Sequence, residues 1–81
     1  MSKVYKFYSP TCGPCKVLEK NLQESGIQYE SIDVTKEENE ELVTKYNITT
    51  IPMLVKVGDN GNGIFSNKGI LSVNDIKKYF G

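Results

Sequence analysis

The sequence predicts an α/β fold: a four-stranded mixed sheet in the order β-α-β-α-β-β-α, with helices on both faces. Three observations lead there. Segments rich in β-branched and aromatic residues alternate with segments of helical period. Helix starts carry capping signals. A glycine-rich turn joins the last two strand-type segments.

Each element has its own reason. Lys3–Tyr8 mixes β-branched and aromatic residues and reads as a strand, broken at Ser9-Pro10. From Gly13 to about Ser25 the period is helical. Cys15, Leu18 and Leu22 share a face with Val17 beside them, while Lys16, Glu19, Lys20 and Gln23 take the others. Gly26 is the C-terminal stop. Ile27–Val34 alternates loosely and predicts a second strand. Thr35-Lys36-Glu37-Glu38 has the form of a capping box, opening a helix to about Tyr46 that buries Leu42, Val43 and Tyr46. The acidic run Glu37, Glu38, Glu40 and Glu41 suits the positive end of that helix dipole, and reads as a solvated helix start rather than a binding patch.

Met53–Val57 is a short apolar strand. The cluster Gly58-Asp59-Asn60-Gly61-Asn62-Gly63 turns the chain, and Ile64–Ser66 returns as its partner. No Gly-Lys-Ser/Thr follows these glycines, so a hairpin is expected and not a phosphate loop. Ser72 caps a last helix, with Leu71 and Ile76 at the staple positions and Ile76, Tyr79 and Phe80 on its buried face. The first strand–helix–strand unit requires parallel strands, and the hairpin adds an antiparallel edge.

The 81 residues are expected to form one domain, residues 1–81, with five Tyr and three Phe to help build its core. Ten basic residues balance ten acidic ones. With no basic run, this argues against nucleic-acid binding and against electrostatic attachment to a membrane. No apolar stretch has transmembrane length. The N-terminal Met1–Tyr8 lacks the apolar run of a signal peptide, so a cytoplasmic protein is expected. In that reducing compartment a close cysteine pair points to redox chemistry or metal binding rather than to a structural staple.

The two cysteines stand in Cys12-Gly13-Pro14-Cys15, after a strand and at the start of a helix. Unpaired backbone N–H groups and the helix dipole there stabilise a thiolate on Cys12, and the thiolate is the nucleophile. Cys15 lies one turn on, along the face that continues into Leu18 and Leu22, and is expected to be the more buried. That asymmetry suits a two-step exchange. Cys12 attacks a substrate disulfide, and Cys15 then displaces the captured sulfur. Pro14 fixes φ and is tolerated in a first helical turn. The metal alternative lacks ligands. A closed zinc site generally needs four, and with two Cys and no His a metal would require carboxylates or a second copy of the chain. Further on, Thr49-Thr50-Ile51-Pro52 precedes the Met53 strand. From the residues alone Pro52 either ends a loop or forms a cis bond presenting the Ile51 backbone to a peptide. Met53 is read either as lining a groove with Ile51 or as an apolar strand end.

Cys12-Gly13-Pro14-Cys15-Lys16, the strand before it, the later Ile51-Pro52 and the Gly69 segment before the last helix resemble the thioredoxin/glutaredoxin superfamily, across nearly the whole chain. The resemblance implies a thioredoxin fold, Cys12 as nucleophile, Cys15 as resolving thiol and Pro52 as a cis-proline beside them. It implies substrate contacts from Thr11, Gly13, Pro14, Ile51, Pro52 and Gly69, with the Ile51 backbone pairing to a substrate strand. It also implies no bound cofactor or metal beyond a redox-active Cys12–Cys15 disulfide. The partners implied are disulfide-containing proteins and, as electron donor, a flavoprotein thioredoxin reductase or glutathione, with the protein a monomer.

The departures are specific. The sequence is short for a thioredoxin. Thr11 stands where that family has Trp. Lys6, six before Cys12, stands where it has a buried Asp held to assist deprotonation of the resolving thiol, so that role has no carrier at this position. Between apolar Tyr5 and Phe7, Lys6 either projects to solvent or lies near the thiols, where its charge would favour a thiolate; the sequence leaves both directions open. Tyr8-Ser9-Pro10-Thr11-Cys12 and Thr50-Ile51-Pro52 are similar to glutaredoxin, but Lys68-Gly69-Ile70 has only one glycine of that family's glutathione-binding pair. Three functions follow: a protein-disulfide reductase, a glutathione-dependent glutaredoxin, or a non-enzymatic metal-bridged or protein-interaction subunit.

Overall fold

The computed structural model describes residues 3–81; Met1 and Ser2, which open the stretch read above for targeting, lie outside the described residues. The elements are β1 (Lys3–Tyr8), α1 (Gly13–Ser25), β2 (Glu30–Asp33), a 3₁₀ turn (Glu37–Asn39), α2 (Glu40–Lys45), β3 (Met53–Val57), β4 (Gly63–Lys68) and α3 (Val73–Phe80). They build a four-stranded sheet in the order β2-β1-β3-β4. β1 runs parallel to β2 and antiparallel to β3, and β3 runs antiparallel to β4. The expected α/β class, strand order along the chain and mixed sheet are all present.

Each sheet face has its own core. Val4 and Leu54 pack with Leu18 and Leu22 of α1 and Ile76 and Phe80 of α3. On the other face Phe7, Ile32, Met53, Val55 and Val57 cluster, with Leu42, Val43 and Tyr46 from α2 and its C-terminal cap packed against them. The two-residue period of β1 explains the split: Tyr5 and Phe7 go one way, Val4 and Lys6 the other.

Several expectations need correction. β2 is shorter than Ile27–Val34. Gly26 adopts φ +75 at the α1 C-cap, and the Ile27 N–H is tied to the Ser25 hydroxyl at 3.4 Å. Ile27 and Tyr29 then pack under the helices before the strand begins. The Thr35 capping box does not form. The Thr35 hydroxyl and N–H both donate to the Asp33 carboxylate, at 2.6 and 2.9 Å, so the carboxylate closes a local turn and takes the hydroxyl the cap would have used. The chain enters α2 through the 3₁₀ turn, and neither start has a side-chain cap. β4 extends beyond Ile64–Ser66 in both directions. Val17 (49% exposed) and Tyr79 (44%) lie outside the core, and Tyr79 stacks on Phe65 with centroids 5.6 Å apart. Met53 is 5% exposed and belongs to the core, not to a groove. Lys6, whose direction the sequence leaves open, is 1% exposed and points inward.

Candidate active site

The site is assembled at one end of the sheet. Phe7 pairs with Met53, and Met53 with Lys68. The residues just after β1, just before β3 and just after β4 therefore converge. These are the Ser9–Cys12 loop, Ile51-Pro52 and Gly69. The Ile51–Pro52 bond is cis. Gly69 donates its N–H to the Pro52 carbonyl at 2.9 Å and adopts φ +88, a conformation suited to glycine. Pro52 is buried, Ile51 and Gly69 are half-buried, and Thr11, Gly13 and Pro14 are exposed around the cysteines.

Cys12 is the N-cap of α1. Its N–H reaches the Ser9 carbonyl at 3.2 Å, and its Sγ accepts the Cys15 N–H at 3.1 Å. Pro14 occupies the first turn, which holds no acidic residue to repel an anionic sulfur. Cys12 and Cys15 form a disulfide, their Cα atoms 5.3 Å apart. Cys15 is 2% exposed while Cys12 is half-buried, the asymmetry expected from the helix period.

Beside the disulfide is a cavity of about 110 Å³ lined by Lys6, Tyr8, Ser9, Pro10, Cys15, Lys16 and Glu19. The Lys6 Nζ lies 3.2 Å from Glu19 Oε1, 4.6 Å from the Tyr8 ring centre and 5.8 Å from that of Tyr29. A buried ammonium needs a counter-charge, and Glu19 supplies it. For two residues of this cavity the sequence carries only a partial signal. Glu19 sits four positions after Cys15, which places both over one helix face. Lys6 sits two after Val4, which assigns it to the same face of β1 as Val4. Those spacings are the available signals; the charge of Glu19 speaks for solvent, and Lys6 stays open between solvent and the thiols.

The thioredoxin family model matches residues 2–80. The chain belongs to the thioredoxin family.

Two relatives come from Bacillus subtilis (strain 168). The SPbeta prophage-derived thioredoxin-like protein YosR is 29% identical over 62 residues, 76% of this chain and 75% of that protein. A thioredoxin is 39% identical over 57 residues, 65% of this chain and 55% of that protein. Among solved structures, thioredoxin-2 of the malaria parasite superposes with a TM-score of 0.84 at 19% identity, covering 99% of this chain and 81% of that one. At that identity it speaks for the thioredoxin fold alone. The family carries with it the general chemistry: this is a thioredoxin-family thiol–disulfide oxidoreductase with a Cys12–Cys15 disulfide. Among the described residues, no three His, Cys, Asp or Glu side chains are grouped to hold a metal ion, and no helix is long and apolar enough to cross a membrane.

Proposed function

We propose that this thioredoxin-family protein reduces disulfides in protein substrates, with Cys12 as the attacking thiol and Cys15 as the resolving one. The observation that carries the assignment is the unequal setting of the two sulfurs. Cys12 is half-buried and its Sγ accepts a backbone N–H at the start of α1, whereas Cys15 is buried to 2% exposure. A thiolate is favoured where helix N–H groups converge on it. In the reduced protein Cys12 attacks a substrate disulfide and forms a mixed disulfide. Cys15 then attacks Cys12 Sγ, and the substrate leaves as a thiol.

Substrate would lie across Thr11, Gly13, Pro14, Pro52 and Gly69, with its backbone paired to that of Ile51. Their convergence at one sheet end supports this docking site. The electron donor best suited to the C-G-P-C motif is a flavoprotein reductase, and the working form is a cytoplasmic monomer. Glutathione is the competing donor, but the single glycine at Gly69 weakens that reading.

Turnover of insulin disulfides with dithiothreitol tests the proposal. Wild-type protein should accelerate reduction and Cys12→Ser should not, while Cys15→Ser should accumulate covalent adducts with the substrate. No acceleration by the wild type, or no adduct with Cys15→Ser, overturns the assignment. Strong activity on glutathione mixed disulfides that survives Cys15→Ser would replace it with the glutaredoxin function.

A further inference from the structure

Cys15 is 2% exposed, yet resolution requires its thiol to shed a proton. The cavity of about 110 Å³ beside it is a route for that proton, and its lining decides what can receive it. β1 contributes Lys6 and Tyr8, and α1 contributes Lys16 and Glu19. Tyr29, ahead of β2, faces the same Lys6 ammonium. Ammonium groups have no free lone pair, and phenols keep their protons at neutral pH. Tyr29 is held to its proton further still, by burial first and then by the negative charge of Glu19. The Glu19 carboxylate is the anionic acceptor among these groups. It is fixed on the cavity by Lys6, while its side chain is 42% exposed and can pass a proton onward to water.

We propose that Glu19 is the proton acceptor for the resolving thiol of Cys15, and that Lys6 is the residue that positions it. The inference rests on the exchange order given under Proposed function. The step balances as follows. The proton of the Cys15 thiol passes to the Glu19 carboxylate. The sulfur's electron pair forms the Cys15–Cys12 bond, and the bond from Cys12 to the substrate sulfur breaks. The departing substrate thiolate takes up a proton from Glu19 or solvent. Two electrons have then moved from the protein's sulfurs to the substrate.

Stopped-flow mixing of the reduced full chain, in excess, with dithiobis(nitrobenzoate) separates the two halves. A concentration-dependent first phase reports capture by Cys12, and a concentration-independent second phase reports displacement by Cys15. Glu19→Gln should leave the first phase within about twofold. It should slow the second at neutral pH by about tenfold or more, the low end of what a positioned base contributes. As pH rises the gap should narrow, because hydroxide then takes the Cys15 proton without the carboxylate. Glu19→Asp should recover part of the rate. A second phase equal to wild type, or slowed by the same factor at every pH, overturns the proposal and leaves the exchange order standing. Loss of the first phase in the wild type would instead sink the exchange order, and this inference with it.

Discussion

The two faces of β1 solve different problems. Tyr5 and Phe7 point into an apolar layer where Tyr5, Phe7 and Tyr46 sit with ring centres 6.0 to 6.3 Å apart. Phe7 is fully buried there, among Ile32, Met53, Val55 and Val57. On the opposite face the strand begins with Val4 in the α1–α3 core and then places Lys6 beside Glu19 and the cavity at Cys15. An ion pair with one partner buried is a poor source of stability, because desolvation of Lys6 offsets much of the attraction. The contrast teaches where each kind of energy is used. Both faces carry an apolar core, but only the α1–α3 face also accepts a charged pair, under the helix that carries the cysteines.

The sharpest way to break this comparison is to delete a ring from the apolar face. Phe7→Ala should lower unfolding stability by about 3–5 kcal/mol, through lost transfer energy and the cavity left behind. Against a typical total of about 5–15 kcal/mol, that brings the fold close to its limit. Urea unfolding monitored by circular dichroism reads it directly. A loss below about 1 kcal/mol would mean that Phe7 is not packed into a stabilising core on the α2 face.

The matching change on the other face is Lys6→Met, which keeps a long side chain under α1 and removes the charge. Glu19 is partly exposed and can be solvated once unpaired. Stability should therefore change by no more than about 1 kcal/mol in either direction. The displacement phase should nevertheless slow by about tenfold, the low end of the contribution of a positioned base. The double variant Lys6→Met/Glu19→Gln should be no slower than Glu19→Gln alone, because both changes remove one function. Additive slowing would mean Lys6 acts on the sulfurs by itself.

The same contrast explains which parts of the molecule were legible in the sequence. The apolar residues of both faces read well because their signal is periodic: Phe7, Met53, Val55 and Val57 fall where strand alternation puts them on one face, and Leu18 and Leu22 fall on a helical stripe that covers the other. The cysteine pair reads well because its spacing, its position before a helix and its chemistry agree. The direction of Lys6 is open in the sequence and Glu19 falls off the apolar stripe of its helix, and neither segment alone shows the other as a partner. The pair exists only once α1 lies across β1. Thr35 failed as a cap for a related reason, since a capping pattern says nothing of a stronger acceptor two residues earlier, and Asp33 is that acceptor. Tyr79 was assigned to the core by helical period, but α3 presents it to Phe65 on the edge strand β4 instead. Pro52 was open between two isomers because the choice belongs to the sheet end around it.

The smallest effect is expected at Asp33, where β2 ends on the apolar face's edge and the chain turns toward α2. Its carboxyl is held below the ordinary aspartate value, first by the Thr35 hydroxyl, then by the Thr35 N–H, with the charge of Lys36 adding to them. A carboxyl whose folded-state value is depressed stabilises the fold above its unfolded value, about 3.9, and loses that contribution as pH falls through the folded-state value. Asp33→Asn retains an oxygen for the Thr35 N–H but has no charge to lose. Wild type should therefore be the more stable of the two at neutral pH, and the difference should shrink as pH is lowered below about 4. Urea midpoints for both proteins across that range measure it. A difference independent of pH would mean that the turn is held by shape rather than by the carboxylate, and that the entry to α2 owes nothing to the charge that displaced its cap.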